Sequence, residues 1–366
     1  MSNNAKLRRI GTVATYHLLG RSGLRVSPLC LGAMTFGEDW GWGATEGTVR
    51  KLLDRYLEAG GNFIDTADGY TGGHSEEILG RYLKVKKNRE RVVLATKFTF
   101  NSQPGDPNAG GNGRKNILRA LEGSLRRLQT DSVDLYWLHA WDMLTPVEEV
   151  MATVDALVRA GKVRYFGLSD VPAWYLARAQ TIAELRGTEP VCALQLEYSL
   201  VERTIEREHI PAALELGMGV CPWSPLASGL LAGKYKPAKG GVKGSGRLAT
   251  AGGARFSKAT ERNWRIVDEV LTVAKEIGRS PAQVALNWVT RRPGVASTII
   301  GATTLAQLEV NLAALEFEIP EMLAARLEAA SRPEPVFPYY FFSDDMQSRL
   351  RGGVSVSAEP SWFRRR

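Results

Sequence analysis

Four side chains with complementary acid–base chemistry stand at the ends of separate apolar runs in the sequence. Asp65, Lys97 and His139 each fall at the carboxyl end of one such run. Tyr70 lies five positions beyond Asp65, in the segment Asp65-Thr-Ala-Asp-Gly-Tyr70. If the runs are neighbouring parallel strands, they lie under about 5 Å apart and their ends meet at one edge. The four side chains are therefore expected to converge.

Together these residue types form a proton-transfer device. A phenol with a reference pKa of about 10 is a poor proton donor at neutral pH. A nearby ammonium stabilises the phenolate, and a buried carboxylate keeps that ammonium charged and oriented. Asp65 and Lys97 are therefore expected to lower the pKa of Tyr70. His139 would hydrogen-bond a substrate carbonyl or join the proton transfer. The chemistry predicted is an acid–base step beside a hydride donor.

Each of the four residues also has an ordinary structural role. An aspartate at a strand end usually caps a helix, and a lysine there usually reaches solvent. A lone tyrosine or histidine at such a position is more often a packing residue. Taken singly, each residue favours its structural role. Chemistry is favoured because the set arrives on three successive strand ends in a fixed order.

The surrounding sequence alternates short β-rich runs with longer segments of helical period. Several of the helical segments end in a glycine, such as Gly60 or Gly161, that suits a left-handed helix end. Helices are predicted at 46–59, 76–83, 115–128, 147–160 and 173–182. Eight strands are predicted at 29–32, 63–65, 92–96, 135–139, 165–169, 193–197, 219–222 and 298–301. Such alternation predicts a (β/α)₈ TIM barrel, whose reactive residues stand at the carboxyl ends of the strands.

A doubly wound sheet is the competing α/β architecture. It requires a G-x-G-x-x-G turn that leads from the first strand into a helix. The corresponding segment is Leu31-Gly-Ala-Met-Thr-Phe-Gly37, which lacks that pattern. The sequence therefore favours the barrel. Two consecutive helices, at 260–278 and 282–291, precede the last strand, so one of them is an extra helix.

Three segments fall outside the strand–helix alternation. Residues 16–26, with the turn Gly20-Arg-Ser-Gly23, predict a hairpin that covers the lower end of the barrel. Residues 236–256 are rich in glycine and lysine and predict a long mobile loop. A tail from about 331 to 366 turns aromatic and irregular. We predict one domain over 1–366, with the barrel core at about 27–315.

Composition narrows the classes of function. The 366 residues carry a net charge of +8, partly from basic residues at the two ends, without the basic–aromatic stripe typical of a nucleic-acid binder. Cys30, Cys192 and Cys221 lie in apolar runs and show no metal-ligand spacing, which argues against a disulfide framework or a zinc site. The first residues lack a signal-peptide pattern, and no apolar stretch approaches the ~20 residues that cross a bilayer. These features predict a cytoplasmic enzyme without a membrane or nucleic-acid partner.

The four reactive residues and their surroundings resemble the aldo-keto reductases. Asp65, Tyr70, Lys97 and His139 match that family's catalytic tetrad. The segments Phe63-Ile-Asp-Thr-Ala-Asp-Gly-Tyr70, Leu94-Ala-Thr-Lys97 and Asp134-Leu-Tyr-Trp-Leu-His139 match its motifs. Gly161-Lys-Val-Arg-Tyr-Phe-Gly-Leu-Ser169 continues the resemblance, which runs from about residue 16 to residue 311. It implies hydride transfer between a nicotinamide cofactor and a carbonyl or alcohol, with Tyr70 as general acid and base.

The resemblance also implies where the cofactor binds. Ser169 and Gln195 would hold the nicotinamide carboxamide, and Trp223 would stack on the nicotinamide ring. The remaining residues that the resemblance assigns to the cofactor site are Thr35, Asp65, Ser224, Pro225, Leu226, Gly229, Leu231, Lys234, Gly301, Ala302, Thr303, Gln307 and Asn311. Among these, the residues from Ser224 to Lys234 would contact the cofactor's pyrophosphate. Those from Gly301 to Asn311 would form the adenosine site, where backbone N–H groups suit a phosphate.

Two departures from the family pattern bear on the cofactor. Thr303 and Gln307 stand where relatives usually carry a basic residue that pairs with the 2′-phosphate of NADP. Lys234 or Arg255 would have to reach that phosphate from loops. We therefore expect NADP as cofactor, with NAD as an alternative. Asp170 stands where many members carry asparagine.

Within the family, the segment Trp223-Ser-Pro-Leu is similar to the aryl-alcohol dehydrogenase and potassium-channel β-subunit branch. Aromatic or bulky substrates are therefore expected, in a pocket formed by Trp40, Phe98 and Trp141, with further aromatics at Trp42, Phe100 and 339–342. The tail aromatics would otherwise only pack on the barrel. A cofactor-sensing binding subunit is the alternative function, and a metal-dependent barrel hydrolase is a distant third. The resemblance also allows a homo-oligomer.

Overall fold

A computed structural model describes residues 11–238, 241–244, 246–249 and 258–354. Its central feature is a sheet of eight parallel strands, in the order β12-β3-β4-β5-β6-β7-β8-β9. These strands are β3 (Leu29–Gly32), β4 (Phe63–Asp65), β5 (Val93–Phe98), β6 (Val133–Leu138), β7 (Val163–Ser169), β8 (Val191–Glu197), β9 (Gly219–Trp223) and β12 (Thr298–Ile300). All eight predicted strands are confirmed, with ends that move by one or two residues.

The sheet closes on itself. The last strand pairs with the first, with Thr298 opposite Leu29. At the other edge, Val220 of β9 bridges to Val295, just before β12. The N–H of Ala296 donates to the Val220 carbonyl at 2.8 Å. The predicted (β/α)₈ barrel is therefore confirmed.

Helices surround the barrel on the outside, and each predicted helix is present. The bounds are α1 (Glu46–Glu58), α2 (His74–Lys86), α3 (Arg114–Leu128), α4 (Val147–Arg159), α5 (Ala173–Arg186), α6 (His209–Leu216), α7 (Glu261–Ile277), α8 (Pro281–Thr290), α9 (Leu305–Leu312), α10 (Glu321–Ser331) and α11 (Asp344–Leu350). Both α7 and α8 precede β12, which confirms the extra helix. No helix within these bounds is both long and apolar enough to span a bilayer.

Alternation along each strand divides the core into an inner and an outer layer. Tyr136 belongs to the outer layer, between strands and helices, whereas its neighbour Trp137 belongs to the layer inside the barrel. Gly167 on the next strand makes room for that indole, because an added Cβ there would lie 2.3 Å from the Trp137 ring. The free thiols of Cys30, Cys192 and Cys221 are buried in the inner layer.

The N-terminal hairpin covers the end of the barrel opposite the strands' carboxyl ends. Its strands are β1 (His17–Leu18) and β2 (Arg25–Val26). Leu19 in the turn is fully buried, and the N–H of Arg21 donates to the Gly217 carbonyl at 2.7 Å. Gly20 has a φ of +62° and faces the Cys192 carbonyl so closely that a Cβ would lie 2.3 Å from that oxygen. The predicted hairpin is confirmed.

The prediction of a long loop at 236–256 is wrong for its first part. Residues of this segment form an antiparallel pair, β10 (Tyr235–Ala238) with β11 (Gly241–Gly244), followed by a short 3₁₀ turn at Arg247–Ala249. Tyr235 is buried and anchors the pair, since its hydroxyl accepts from the N–H of Leu248 at 3.2 Å. The rest of the predicted loop, including Arg255, lies outside the described residues, as do the basic residues at both chain ends.

Candidate active site

A buried lysine–aspartate pair forms the base of the candidate site, at the carboxyl ends of β4 and β5. Lys97 points into the barrel and is fully buried, and Asp65 is 2% exposed. The Lys97 Nζ donates to Asp65 Oδ2 at 2.5 Å and to the Thr66 carbonyl at 2.8 Å. Burial alone would lower the pKa of Lys97. The Asp65 carboxylate outweighs burial, so that pKa lies above its ordinary value and the ammonium keeps its charge.

Tyr70 stands over this pair on the loop after β4. The Lys97 Nζ donates to the Tyr70 hydroxyl oxygen at 3.1 Å and lies 4.7 Å from the centre of its ring. Burial raises the pKa of Tyr70 above its ordinary value, and the Lys97 charge offsets only part of that rise. The expectation of a lowered phenol pKa is therefore wrong in this arrangement, because removal from water outweighs the neighbouring ammonium.

His139, which directly follows β6, completes the group. Its ring centre lies 5.8 Å from that of Tyr70, at an interplanar angle of 79°. Burial, and then the Lys97 charge, lower the pKa of His139 well below its ordinary value, so the imidazole is neutral at neutral pH. Its Nδ1 is buried and makes no hydrogen bond with the described part of the chain. The four residues predicted from the sequence thus lie together at one end of the barrel.

A polar rim extends this group across the ends of β7, β8 and β9. The Gln195 Nε2 donates to Asp65 Oδ1 at 3.1 Å, so Asp65 joins the rim to the lysine. Ser169 Oγ is buried and has no hydrogen-bond partner among the described residues. The Trp223 indole N–H donates to Asp170 Oδ1 at 3.1 Å. Of the residues predicted to meet a nicotinamide, Gln195 therefore contacts the tetrad directly, and Ser169 and Trp223 lie on the two strands beside it.

A tight turn after β9 contains the next group of predicted cofactor residues. Ser224, Ser228 and Gly229 have positive φ angles of 52°, 57° and 92°. Such angles turn successive backbone N–H groups in a way that suits an anion. Leu231 is fully buried, and its N–H donates to the Leu226 carbonyl at 3.2 Å, so this residue stabilises the turn from within. Pro225 and Leu226 lead into this turn, and the exposed Lys234 ends it.

The carboxyl end of β12 and the start of α9 hold the remaining predicted cofactor residues. Thr35 Oγ1 donates to the Ala302 carbonyl at 3.0 Å, and Asn311 Nδ2 donates to the Gly301 carbonyl at 3.1 Å. The N–H and the hydroxyl of Thr303 both donate to Gln307 Oε1, at 2.8 and 3.1 Å. No basic side chain belongs to this cluster of six residues, as expected from the sequence.

The aromatic residues predicted to line the pocket differ in position: some lie at the mouth, the open end of the barrel beside Tyr70 and His139, and one faces the outer helices. The Trp40 ring centre lies 6.3 Å from that of Tyr70, and the Phe100 ring centre lies 4.7 Å from that of His139. Trp141 lines a cavity beside them. The prediction for Phe98 is wrong. Because Lys97 points into the barrel, its neighbour points outward, and Phe98 is fully buried against Tyr136.

The tail aromatics at Tyr339–Phe342 form a 3₁₀ turn on the outside of the barrel. The Tyr339 hydroxyl donates to Glu208 Oε1 at 2.5 Å, and the Arg207 guanidinium lies 5.9 Å from the Tyr339 ring centre. The tail therefore packs against the residues that precede α6. This contact agrees with the alternative that the tail packs on the barrel.

Two groups near the site were not identified from the sequence. Glu76 is fully buried below the Tyr70 loop and accepts from Thr96 Oγ1 at 2.5 Å and from Arg127 Nε at 2.7 Å. Arg247, on the 3₁₀ turn after β11, lies 4.9 Å from the Trp42 ring centre at the mouth. The Ser75-Glu76 pair, which follows the motif at 63–70 by five residues, is a sequence signal that could have identified the first group. Nothing in the sequence pointed to the second.

Comparisons with known proteins agree with this geometry. The model described as the aldo/keto reductase family matches residues 28–332. An uncharacterized oxidoreductase of Bacillus subtilis is 39% identical, covering 85% of this chain and 94% of its own. Norsolorinic acid reductase of Emericella nidulans is 35% identical over 92% of this chain and 86% of its own. Aryl-alcohol dehydrogenase [NADP(+)] of Phanerodontia chrysosporium is 34% identical over 88% and 87%.

Proposed function

The chain belongs to the aldo/keto reductase family, and we propose that it is an NAD(P)H-dependent oxidoreductase that interconverts aromatic or bulky carbonyl compounds and alcohols. One observation carries the proposal. The Tyr70 hydroxyl lies 3.1 Å from a buried ammonium that is itself held by a buried carboxylate. A buried ion pair beside a phenol is not needed for packing or for solubility, whereas it stabilises the phenolate that a proton donor leaves behind.

The residues around the tetrad fit a nicotinamide cofactor. Ser169 has a buried hydroxyl without a partner among the described residues, next to Gln195 at the end of the neighbouring strand. The nicotinamide carboxamide offers both a donor and an acceptor to such a pair. Trp223 would flank the ring, and the turn at 224–229 would hold the phosphates through backbone N–H groups. When bound, the cofactor supplies or accepts the hydride.

The protein's part of the reaction is proton transfer. The Tyr70 phenol is protonated at neutral pH. Burial raises its pKa, and the Lys97 charge offsets part of that rise and so favours donation to the oxygen of a carbonyl substrate. Lys97 then stabilises the phenolate that remains, and Asp65 keeps Lys97 charged and in position. Neutral His139 is suited to hydrogen-bond the substrate oxygen and orient it. Oxidation of an alcohol reverses the same proton transfer.

The proposed substrate class rests on the mouth and on the relatives. Trp40, Phe100 and Trp141 present apolar ring surface around the tetrad, which suits a flat aromatic substrate. One similar protein is named an aryl-alcohol dehydrogenase that uses NADP. For this chain we propose NADP as cofactor, with NAD also accepted, because the segment at 301–311 offers only neutral partners to a 2′-phosphate.

The purified chain alone tests this proposal. We expect it to oxidise NADPH, and more slowly NADH, in the presence of benzaldehyde-type substrates and without any added protein partner. Fluorescence titration with both cofactors gives their affinities independently of turnover. Cofactor binding without turnover of any carbonyl or alcohol in a broad panel would instead favour a cofactor-sensing binding subunit.

A further inference from the structure

A cavity of about 400 Å³ opens at the carboxyl ends of β6, β7 and β8. Its apolar wall includes Trp141, Met143, Leu196 and Ile205, and its polar wall includes Asp170 and Glu197. An apolar cavity with a few acceptor groups on one side is typical of a small-molecule site. No residue of the tetrad lines it, so it is a separate space from the one in which the proton moves.

The cavity nevertheless adjoins the catalytic group. Trp141 follows His139 by two positions, and Asp170 directly follows Ser169. The Asp170 carboxylate accepts from the Trp223 indole N–H at 3.1 Å, so the polar wall borders the residues proposed to hold the nicotinamide. Burial raises the pKa of Asp170 to about 6, and the Trp223 hydrogen bond and the Lys97 charge oppose that rise, so the group is ionised at slightly alkaline pH.

The polar wall has an excess of acceptors. Glu197 and Glu202 share one cation, because Lys258 Nζ lies 3.3 Å from the first carboxylate and 2.7 Å from the second. Asp170 Oδ1 accepts from Trp223, whereas Oδ2 accepts no hydrogen bond from the described residues. His209 points a ring nitrogen at the Val171 carbonyl, at 2.9 Å, and not at these carboxylates.

From this wall we infer that the cavity is a substrate subsite for the hydroxyl-bearing end of an aromatic carbonyl or alcohol, and that it discriminates against carboxylate-bearing analogues. The inference rests on the proposed function, which supplies the aromatic carbonyl. A hydroxyl donates to Asp170 or Glu197 while the ring contacts Trp141 and Ile205. A carboxylate has no proton to donate and meets like charges instead.

Two ring-substituted aldehydes of similar size test the subsite. We compare kcat/KM for para-hydroxymethylbenzaldehyde and para-carboxybenzaldehyde, and for the corresponding two-ring naphthaldehydes, at one slightly alkaline pH. In at least one series, wild-type protein is expected to favour the hydroxymethyl compound by about tenfold or more over the carboxylate.

Two variants move the preference in opposite directions. Glu197→Gln removes one negative charge and keeps the shape, so the preference should shrink by about fivefold. Met143→Glu adds a charge at a side chain that is 74% exposed, so it should fold normally and widen the preference. Glu269→Gln is the matched control, because Glu269 is equally shielded, at 25% side-chain exposure against 26% for Glu197, but pairs with Arg326 away from the cavity.

The outcomes separate the subsite from the proposed function. Cofactor binding without turnover of any carbonyl or alcohol in the broad panel would overturn the function. Calorimetric binding of the paired aldehydes to wild type and to both variants would still decide the subsite. Equal kcat/KM or equal affinity for the two ring substituents, or a preference unchanged in Glu197→Gln and Met143→Glu, would overturn the subsite while leaving the function intact.

Discussion

Replacing Lys97 with methionine separates the charge of this side chain from its bulk. The ammonium makes three hydrogen bonds, to Asp65, to the Thr66 carbonyl and to Tyr70, and all three are lost. Methionine fills most of the same volume, so the barrel interior stays packed. Asp65 keeps its bond from Gln195 but loses its buried cation. The variant should therefore fold, with lower stability and far lower activity.

The rate loss follows from the distance between the two groups. At the 3.1 Å that separates Lys97 Nζ from the Tyr70 oxygen, an ammonium and a phenolate attract each other by about 5 kcal/mol at an effective dielectric constant of about 20. If half of that attraction acts in the transition state, kcat for carbonyl reduction falls about a hundredfold, and if all of it acts, about ten-thousandfold. Loss of one partner of a buried pair lowers the free energy of unfolding by about 3–5 kcal/mol.

The pH dependence gives a second readout with a definite sign. Lys97 opposes the rise in the pKa of Tyr70 that burial causes, so its removal raises that pKa further. Alcohol oxidation needs the phenolate, and its increase with pH should therefore move to higher pH in the variant. Carbonyl reduction needs the protonated phenol, and its decline at alkaline pH should move the same way.

The assay is steady-state kinetics across pH in both directions, with urea unfolding on the same samples. Lys86→Met is the matched control, because Lys86 pairs with Asp54 at 2.8 Å but is 44% exposed. An exposed pair contributes about 1 kcal/mol or less, so this variant should keep its rate and nearly all of its stability. A Lys97→Met enzyme whose alcohol-oxidation profile keeps the wild-type shape would refute the idea that Lys97 tunes Tyr70.

Three further predictions address the acid, the cofactor and the core. Tyr70→Phe should lower kcat for carbonyl reduction by at least about a hundredfold while fluorescence titration gives an unchanged cofactor affinity, and retention of a tenth of kcat would assign the proton donor elsewhere. Wild type should prefer NADPH over NADH by less than about a hundredfold, and Thr303→Arg should widen that preference about tenfold, chiefly through the KM of the cofactor. A wild-type preference above about a thousandfold requires about 4 kcal/mol of phosphate recognition, which would point to a cation outside this segment, with Arg247→Ala as the next variant to measure. Gly167→Ala should lower the free energy of unfolding by about 1–3 kcal/mol, because the new methyl group meets the Trp137 ring, and an unchanged melting temperature would contradict that packing.

The grouping of the four proposed catalytic residues could be predicted from the sequence because it depends on strand ends. In a parallel barrel, neighbouring strands are hydrogen-bonded in a fixed register and end at the same rim. Once β4 and β5 are identified, Asp65 and Lys97 are therefore expected to lie side by side. The same alternation explains the error at Phe98: its side chain must face the helices when that of Lys97 faces the interior. Alternation along β5 would therefore have excluded Phe98 from the pocket.

Other features depend on tertiary burial, which no local pattern reports. The pKa of Tyr70 rises because the folded chain removes the phenol from water, and the sequence shows only the neighbouring charge. The pairing of β10 with β11 relies on Tyr235, whose buried ring anchors a segment of glycine and lysine that predicts a loop. Arg247 reaches Trp42 only because that pairing folds the segment back.

Closure of the barrel has a consequence for how the protein is made. The bond from Thr35 to the Ala302 carbonyl joins residues 267 positions apart, and β12 is the strand that completes the sheet beside β3. Contacts of such long range form late, because the chain between them must first be ordered. During synthesis the first seven barrel strands leave the ribosome before the last one, so the sheet keeps two open edges until β12 is available. Thr35, one of the proposed cofactor residues, lacks its partner Ala302 until then, so the proposed site is complete only after β12 has emerged.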